Sequence, residues 1–205
     1  MHLLIDNSNT LTKFALDLGG ELSEWRGVIA TSDLSKTSIQ NTLHSQTFER
    51  ITLCSVVPDS TILIKTIFDQ PIHHISHQSK MPITIDYPNP SKIGADRLAN
   101  ASAAILDRQG PAIVIDFGTA VTFDVISKIG SYLGGVIAPG TASLRDYLHQ
   151  KTALLPAIQL EEPNSIIGRS TEEAMQIGAV IGYRGLIREI LSELRRELGG
   201  TPTIL

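Results

Sequence analysis

The chain contains a single cysteine, Cys54, among its 205 residues. One thiol cannot form an internal disulfide, and sparse cysteine is typical of proteins from a reducing compartment, so we expect a cytoplasmic location. Cys54 lies in the apolar run 51–57. We therefore expect it to pack as a small hydrophobic side chain in a strand rather than to act as a nucleophile.

The sequence also lacks an excess of positive charge and a long apolar segment. Lysine and arginine total 17 and aspartate and glutamate 21, which gives a formal net charge of -4. Without a basic patch, a nucleic-acid partner is not expected. No uninterrupted apolar run reaches bilayer length, and no basic segment followed by an apolar run opens the chain. We therefore expect no membrane span, no membrane partner and no signal peptide.

Two common nucleotide-binding fingerprints are missing. The sequence has no G-x-x-x-x-G-K-[ST] motif and no G-x-G-x-x-G motif. Their absence argues against the P-loop and Rossmann classes, in which a glycine-rich turn before a helix binds the phosphates.

Apolar runs alternate with segments of helical periodicity along the whole chain. Strands are predicted over residues 3–5, 11–16, 51–57, 72–75, 112–115, 121–126, 132–137 and 201–205, and helices over 60–68, 96–108, 143–150 and from 170 onward. Ser170 with Glu173 three residues later predicts a capping box at the start of the last helix. This alternation is typical of the α/β class.

A strand–turn–strand unit occurs twice. Residues 5–12 lie over residues 115–122, and three pairs coincide in that superposition: Asp6 with Asp116, Ser8 with Gly118, and Thr12 with Thr122. This repeat predicts two related halves, residues 1–109 and 110–205, with a boundary at Gln109-Gly110-Pro111. Chance similarity between two such units is the alternative, and the repeat alone leaves both open.

Both turns have the composition of a phosphate-binding loop. Small residues let backbone N–H groups approach a phosphate closely, and hydroxyl and amide side chains add donors. Asp6 cannot contact a phosphate directly, but it can hold Mg²⁺ through water. Lys13 can neutralise charge on a transferred phosphoryl group. Two such turns facing each other would hold ATP, whereas solvated turn aspartates are the plainer alternative.

Five motifs, in order along nearly the whole chain, resemble those of type III pantothenate kinase. The most specific is Gly94-Ala95-Asp96-Arg97 followed by Asn100-Ala101, with Tyr87 seven residues before Gly94. The others are residues 6–13, 116–120, 132–135 with 139–140, and 167–171 with 174–176.

This resemblance implies an actin-like ATPase (ribonuclease H-like) fold, with two related halves around a nucleotide cleft, assembled as a homodimer. It implies ATP-dependent phosphorylation of pantothenate, the first step toward coenzyme A. It further implies Mg²⁺ and a monovalent cation, either K⁺ or NH₄⁺.

The resemblance also implies a role for each matching residue. Asp96 would be the catalytic proton acceptor, and Asp116 would bind the monovalent cation. ATP would be bound by Asp6, Asn7, Ser8, Asn9, Thr10, Leu11, Thr12, Lys13 and Thr119. Pantothenate would be bound by Tyr87, Gly94, Ala95, Asp96, Arg97 and Thr171.

The chemistry of Asp96 and Arg97 agrees with these roles. An alcohol that attacks phosphorus needs a base within hydrogen-bond reach. A guanidinium pairs bidentately with a carboxylate, which pantothenate carries. A structural interpretation competes for Asp96, since an aspartate can also cap a helix that begins at Leu98.

The chain departs from the family in two places. The family usually has glycine where Ser8 stands, and a Cβ disfavours positive φ. The family also continues beyond the position of Leu205 into a turn and helix that help to seat the nucleotide base, so weaker ATP binding is one expectation. Two alternatives to the kinase remain: a non-catalytic accessory-factor relative, and an actin-like kinase for another small hydroxy-acid.

Overall fold

The computed structural model describes residues 1–107 and 110–205. The chain divides into two compact units, Met1–Arg108 and Gln109–Leu205. The predicted boundary between residues 109 and 110 involves Gln109, which lies outside the described residues, and so does Arg108 at the end of a predicted helix.

The first unit is a mixed sheet with three helices. Its elements are β1 (His2–Asn7), β2 (Leu11–Asp17), β3 (Leu22–Ala30), α1 (Lys36–Thr42), β4 (Arg50–Ser55), α2 (Pro58–Ile67), β5 (Ile72–His74), β6 (Thr84–Ile85) and α3 (Ala95–Asp107). The sheet has the order β3-β2-β1-β4-β5. The strands β1, β2 and β3 are antiparallel neighbours, whereas β4 runs parallel to both β1 and β5.

Strict alternation of side chains gives this sheet two different faces. One face is apolar and packs against residues of α1 and α2; its core includes Leu3, Ile5, Phe14, Leu16, Ile51, Leu53, Ile39 and Ile64. The strands predicted from apolar runs are confirmed here as β1, β2, β4 and β5. The elements β3 and α1 had not been predicted, because Glu24 and Arg26 interrupt β3 and only Ile39 is buried in α1.

The second unit repeats the strand arrangement with fewer elements. It contains β7 (Ala112–Phe117), β8 (Ala120–Ile126), β9 (Ser131–Pro139), α4 (Thr141–Lys151), α5 (Thr171–Leu198) and β10 (Thr203–Ile204). Its strands lie in the order β10-β7-β8-β9. Apolar residues of α5 cover Ile113, Val121 and Phe123 and form the core of this unit.

The two units share one topology. In each, three antiparallel strands are consecutive in sequence, and the first of them pairs in parallel with a later strand: β1 with β4, and β7 with β10. The register differs by one residue at the first turn, however. Asp6 lies opposite Lys13, whereas Asp116 lies opposite Thr122. The ungapped superposition of Thr12 on Thr122 is therefore wrong, because the first turn is one residue longer.

Only half of the predicted capping box is present at the start of α5. Ser170 Oγ accepts a hydrogen bond from Glu173 N at 3.1 Å, as expected for an N-cap. The Glu173 carboxylate accepts from Arg169 N at 2.6 Å, one residue before the cap, rather than from Ser170 N. The helix ends at Gly199, whose φ of 63° is the left-handed conformation that glycine adopts readily.

Within residues 1–107 and 110–205, no helix is both long and apolar enough to cross a membrane.

Candidate active site

The turn after β1, which we call the first loop (residues 8–11), is closed by one serine. Ser8 donates to the carbonyl oxygen of Leu11 through both its backbone N–H and its hydroxyl, each at 3.0 Å. No non-glycine residue among those described has a positive φ. The Cβ of Ser8 therefore causes no backbone strain, and this loop conformation does not require the glycine that the family usually has.

Asp6 and Lys13 face each other beside this loop. They are directly opposed on β1 and β2, and Lys13 Nζ lies 3.6 Å from Asp6 Oδ2. Their side chains are 47% and 57% exposed, so a ligand can reach both. Alternation places them on the sheet face opposite to Ile5 and Phe14. This second face, which we call the charged face, carries one acid and one base at the edge of the loop.

Cys54 lies on the same face, and the charges there affect the pKa of its thiol. It lies opposite Asp6 in the parallel pair of β1 and β4. Burial, followed by the negative charges of Asp6 and Asp96, raises the pKa of the Cys54 thiol to about 12. The thiol is therefore protonated near neutral pH, as expected for a packing residue and not for a nucleophile. Asp6 and Asp96 are thus both close enough for their charges to act on the Cys54 thiol.

Asp96 lies in the first turn of α3 and not before the helix. The helix begins at Ala95, and Leu98 N donates to the Gly94 carbonyl at 3.2 Å. The interpretation of Asp96 as the cap of a helix beginning at Leu98 is therefore wrong. Its Oδ1 accepts from Arg97 N at 2.8 Å.

Gly94 makes room for the Asp96 carboxylate. An ideal Cβ on Gly94 would collide with Asp96 Oδ1 and would lie 3.6 Å from the side chain of Val56, the residue after β4. A side chain at position 94 would displace the carboxylate, which gives a steric reason for glycine two residues before the aspartate. The remaining predicted substrate residues of this unit are Ala95, which is 7% exposed, the half-buried Arg97, and Tyr87, which is 37% exposed.

The second loop, residues 118–119, is held by backbone contacts. Gly118 N donates to the Ala120 carbonyl at 2.9 Å, and the Thr119 carbonyl accepts from Gly140 N at 3.1 Å. The Ser143 hydroxyl also donates to that carbonyl, at 3.3 Å. A Cβ on Gly140 would collide with the Gly118 carbonyl oxygen and lie 2.6 Å from that of Thr119. This loop therefore packs directly on the turn before α4.

Asp116, Thr119 and Thr171 are all exposed in the second unit. Thr171 is the first residue of α5 and borders a cavity of about 1130 Å³ between α4 and α5. The cavity lining is mainly apolar, with the guanidinium-bearing Arg145 and Arg169 at its border. Sequence reasoning had assigned a role to neither arginine: Arg145 lies in none of the motifs, and in the motif 167–171, which contains Arg169, only Thr171 was assigned one.

The described residues contain no group of three or more histidine, cysteine, aspartate or glutamate side chains arranged to hold a metal ion. Mg²⁺ in kinases is commonly held by one or two carboxylates together with phosphate oxygens and water. A single exposed carboxylate at the edge of the loop, such as Asp6, fits that mode of binding.

Comparison with known proteins identifies relatives of this chain. A profile of type III pantothenate kinase matches residues 2–193. The chain is 50% identical to the type III pantothenate kinase of Akkermansia muciniphila, over 100% of this chain and 84% of that protein. It is 43% identical to that of Methylacidiphilum infernorum, over 96% of this chain and 72% of the relative. It is 35% identical to that of Moorella thermoacetica, over 100% and 86%.

Two solved structures share the fold. One is a proposed Baf family transcriptional activator from Campylobacter jejuni, with a TM-score of 0.57, 21% identity, and coverage of 92% of this chain and 78% of that one. The other is a proposed 2-dehydro-3-deoxygalactonokinase from Sinorhizobium meliloti, with a TM-score of 0.58, 12% identity, and coverage of 100% and 85%. The predicted actin-like α/β fold is thus confirmed, and by sequence the chain belongs to the type III pantothenate kinase family.

Proposed function

We propose that this chain transfers the γ-phosphate of ATP to the primary hydroxyl of pantothenate, the first step toward coenzyme A. Family membership supports the reaction. The observation that carries the site is the charged face of the first unit. Asp6 pairs there with Lys13 on the neighbouring strand, and the charges of Asp6 and Asp96 both act on the Cys54 thiol near the end of β4.

Asp96 is the proton acceptor in this proposal. Its carboxylate is half-buried at the start of α3, and the missing Cβ of Gly94 leaves space for it. A carboxylate in hydrogen-bond reach of the attacking hydroxyl takes up its proton as the bond to phosphorus forms. Arg97 binds the carboxylate of pantothenate, and Tyr87, Gly94, Ala95 and Thr171 complete the substrate contacts.

The first loop and Thr119 bind the phosphates of ATP. Backbone N–H groups in a tight turn attract anions, and Lys13 stabilises the negative charge that develops on the transferred group. Asp6 holds Mg²⁺ through water, and that ion neutralises charge on the phosphates when bound. Asp116 binds K⁺ or NH₄⁺. The enzyme acts as a homodimer, and its single cysteine suits the cytoplasm.

The decisive experiment measures ADP release with and without pantothenate, and with Na⁺ replacing K⁺. We expect turnover that needs both pantothenate and K⁺ or NH₄⁺. Asp96→Asn should lower kcat by a factor on the order of 10² to 10⁴, the usual contribution of a general base. The matched control is Asp59→Asn, because Asp59, like Asp96, lies in the first turn of a helix in this unit but is exposed. The kcat of this variant should not change.

Two outcomes would reject the proposal. Folded protein that shows no turnover with any cation would favour the non-catalytic accessory-factor relative. Turnover with another small hydroxy-acid, but not with pantothenate, would favour the other actin-like kinase. Full activity in Asp96→Asn would leave the reaction in place but remove Asp96 from its assigned role.

A further inference from the structure

A continuous chain of polar side chains lies under the first loop. The Thr61 hydroxyl is 2.7 Å from Ser55 Oγ, and Ser55 Oγ is 2.6 Å from Asn7 Oδ1. Asn7 Nδ2 is 2.7 Å from Thr12 Oγ1, which is 3.1 Å from Thr31 Oγ1. Thr31 Oγ1 in turn is 2.8 Å from the carbonyl oxygen of Ser8. We call this set the hydroxyl chain; it connects the start of α2 to the loop.

The direction of the hydrogen bonds in the hydroxyl chain follows from its last link. The Thr31 hydroxyl has one proton and gives it to the Ser8 carbonyl, so Thr12 must donate to Thr31. Thr12 Oγ1 then accepts from the amide nitrogen of Asn7, and Asn7 Oδ1 accepts from Ser55. The opposite orientation of the Asn7 amide would leave no proton between Thr12 and Thr31. From Ser55 onward every donor therefore points toward the loop, an arrangement in which the bonds reinforce one another, while the Thr61 proton is shared between Ser55 Oγ and the Val57 carbonyl.

The members of the hydroxyl chain on the sheet are buried on its core face. Asn7 is 1% exposed, Thr12 0% and Ser55 8%. By alternation, Asn7 and Ser55 follow Ile5 and Leu53, and Thr12 precedes Phe14. These polar residues form one end of the apolar core. Asn7 and Thr12 had been predicted to bind ATP. Because their side chains are deeply buried and hydrogen-bonded to each other, they act on the loop rather than on a ligand directly.

Thr31 fixes the loop at two points. Its hydroxyl binds the Ser8 carbonyl, and its backbone N–H binds the Thr10 carbonyl at 2.9 Å. The Leu11 carbonyl is bound by Ser8. Carbonyl oxygens repel a phosphate, so a loop that binds one must turn these oxygens toward protein donors. Three carbonyl groups of the first loop are held in this way.

From this geometry we propose that Thr31 and Ser55 are positioning residues for ATP: Thr31 fixes the peptide orientation of the first loop directly, and Ser55 does so through Asn7 and Thr12. The inference rests on the proposed role of that loop in binding ATP. Neither residue lies in the motifs that matched the family, and Ser55 is separated from Asn7 by 48 residues in sequence.

The test compares Thr31→Val, which removes the hydroxyl at nearly constant volume, with Thr31→Ser, which retains it. We expect Thr31→Val and Ser55→Ala to raise the KM for ATP and the Kd for MgATP about tenfold, the effect of one lost hydrogen bond. The KM for pantothenate should not change, and Thr31→Ser should restore the wild-type values. The control is Thr52→Val, since Thr52 is a half-buried threonine on β4 whose hydroxyl binds His2.

A purely structural role would lower the melting temperature in both valine variants and leave the KM for ATP unchanged, and that result would overturn the proposal. Equal increases of both KM values, or no recovery in Thr31→Ser, would also overturn it. Calorimetric titration with MgATP separates this inference from the kinase reaction. If the wild type binds MgATP without phosphorylating pantothenate, only the reaction fails; if it binds no MgATP, the positioning role fails as well.

Discussion

The two hairpin loops of this protein occupy equivalent places in two sheets of the same topology, yet they are supported differently. The first loop is held by hydrogen bonds from side chains, namely Thr31 and the rest of the hydroxyl chain. The second is fixed by backbone contact with Gly140 and by Ser143 at the start of α4. Topology therefore determines where a phosphate loop can lie, whereas local packing determines how its peptide groups are oriented.

The loops also differ in charge. Asp6 is opposed by Lys13, but Asp116 is opposed by Thr122. An acid next to an ammonium group suits a site where phosphoryl charge develops. An acid without an opposing lysine on the neighbouring strand suits a bound cation. This difference is consistent with the proposed assignment of ATP and Mg²⁺ to the first loop and of K⁺ or NH₄⁺ to Asp116.

The largest effect is expected when this charge difference is removed. Lys13→Thr gives the first hairpin the residue type of the second, and we expect kcat to fall about a hundredfold or more, because a preorganised cation is lost from the transition state. Steady-state kinetics measures the loss. Lys36→Thr, at an exposed lysine in the first turn of α1, is the control. An unchanged kcat in Lys13→Thr would mean that the charge difference has no catalytic role.

An intermediate effect is expected at the support of the second loop. Gly140→Ala introduces a Cβ that collides with the Gly118 carbonyl, so the backbone must move. We expect a loss of about 1–3 kcal/mol in the free energy of unfolding, measured by denaturant titration, and a higher KM for ATP. Gly200→Ala is the matched control, since a Cβ there meets nothing within 4 Å. If both variants are equally stable, close packing at Gly140 does not support the loop.

The smallest effect is expected at Ser8. Because φ of Ser8 is not positive, Ser8→Gly gains nothing in backbone freedom that the loop uses. We expect the KM for ATP to stay within about twofold and stability to fall by roughly 0.5–1 kcal/mol, from added chain entropy and the lost bond to Leu11. Thermal unfolding and ATP titration measure both quantities. A several-fold decrease in KM would show that the ATP-bound loop does adopt glycine geometry.

Much of the fold was accessible from local sequence. Apolar runs such as 51–57 and 121–126 predict strands, because apolar side chains are the main sequence requirement of a buried strand. Ser170 predicts the start of a helix, because its side chain caps the backbone. The strand β3 was not predicted, because it is an edge strand that contains Glu24 and Arg26 and has no clear apolar run. The exact start of α3 was not predicted either, because its first hydrogen bond is accepted by the Gly94 carbonyl and not by the Asp96 side chain.

In the candidate site, too, some residues could be predicted from local sequence and others could not. The motif residues Asp6, Lys13, Gly94 and Asp96 could be identified from sequence because their chemistry and spacing are local. The sequence by itself determined the family, the α/β class and these polar positions. Only the tertiary structure decided that Asn7 and Thr12 point into the core and that Thr31 and Ser55 hold them there. The reason is physical: strand register and burial fix the direction of a side chain, and both depend on partners that are distant in sequence.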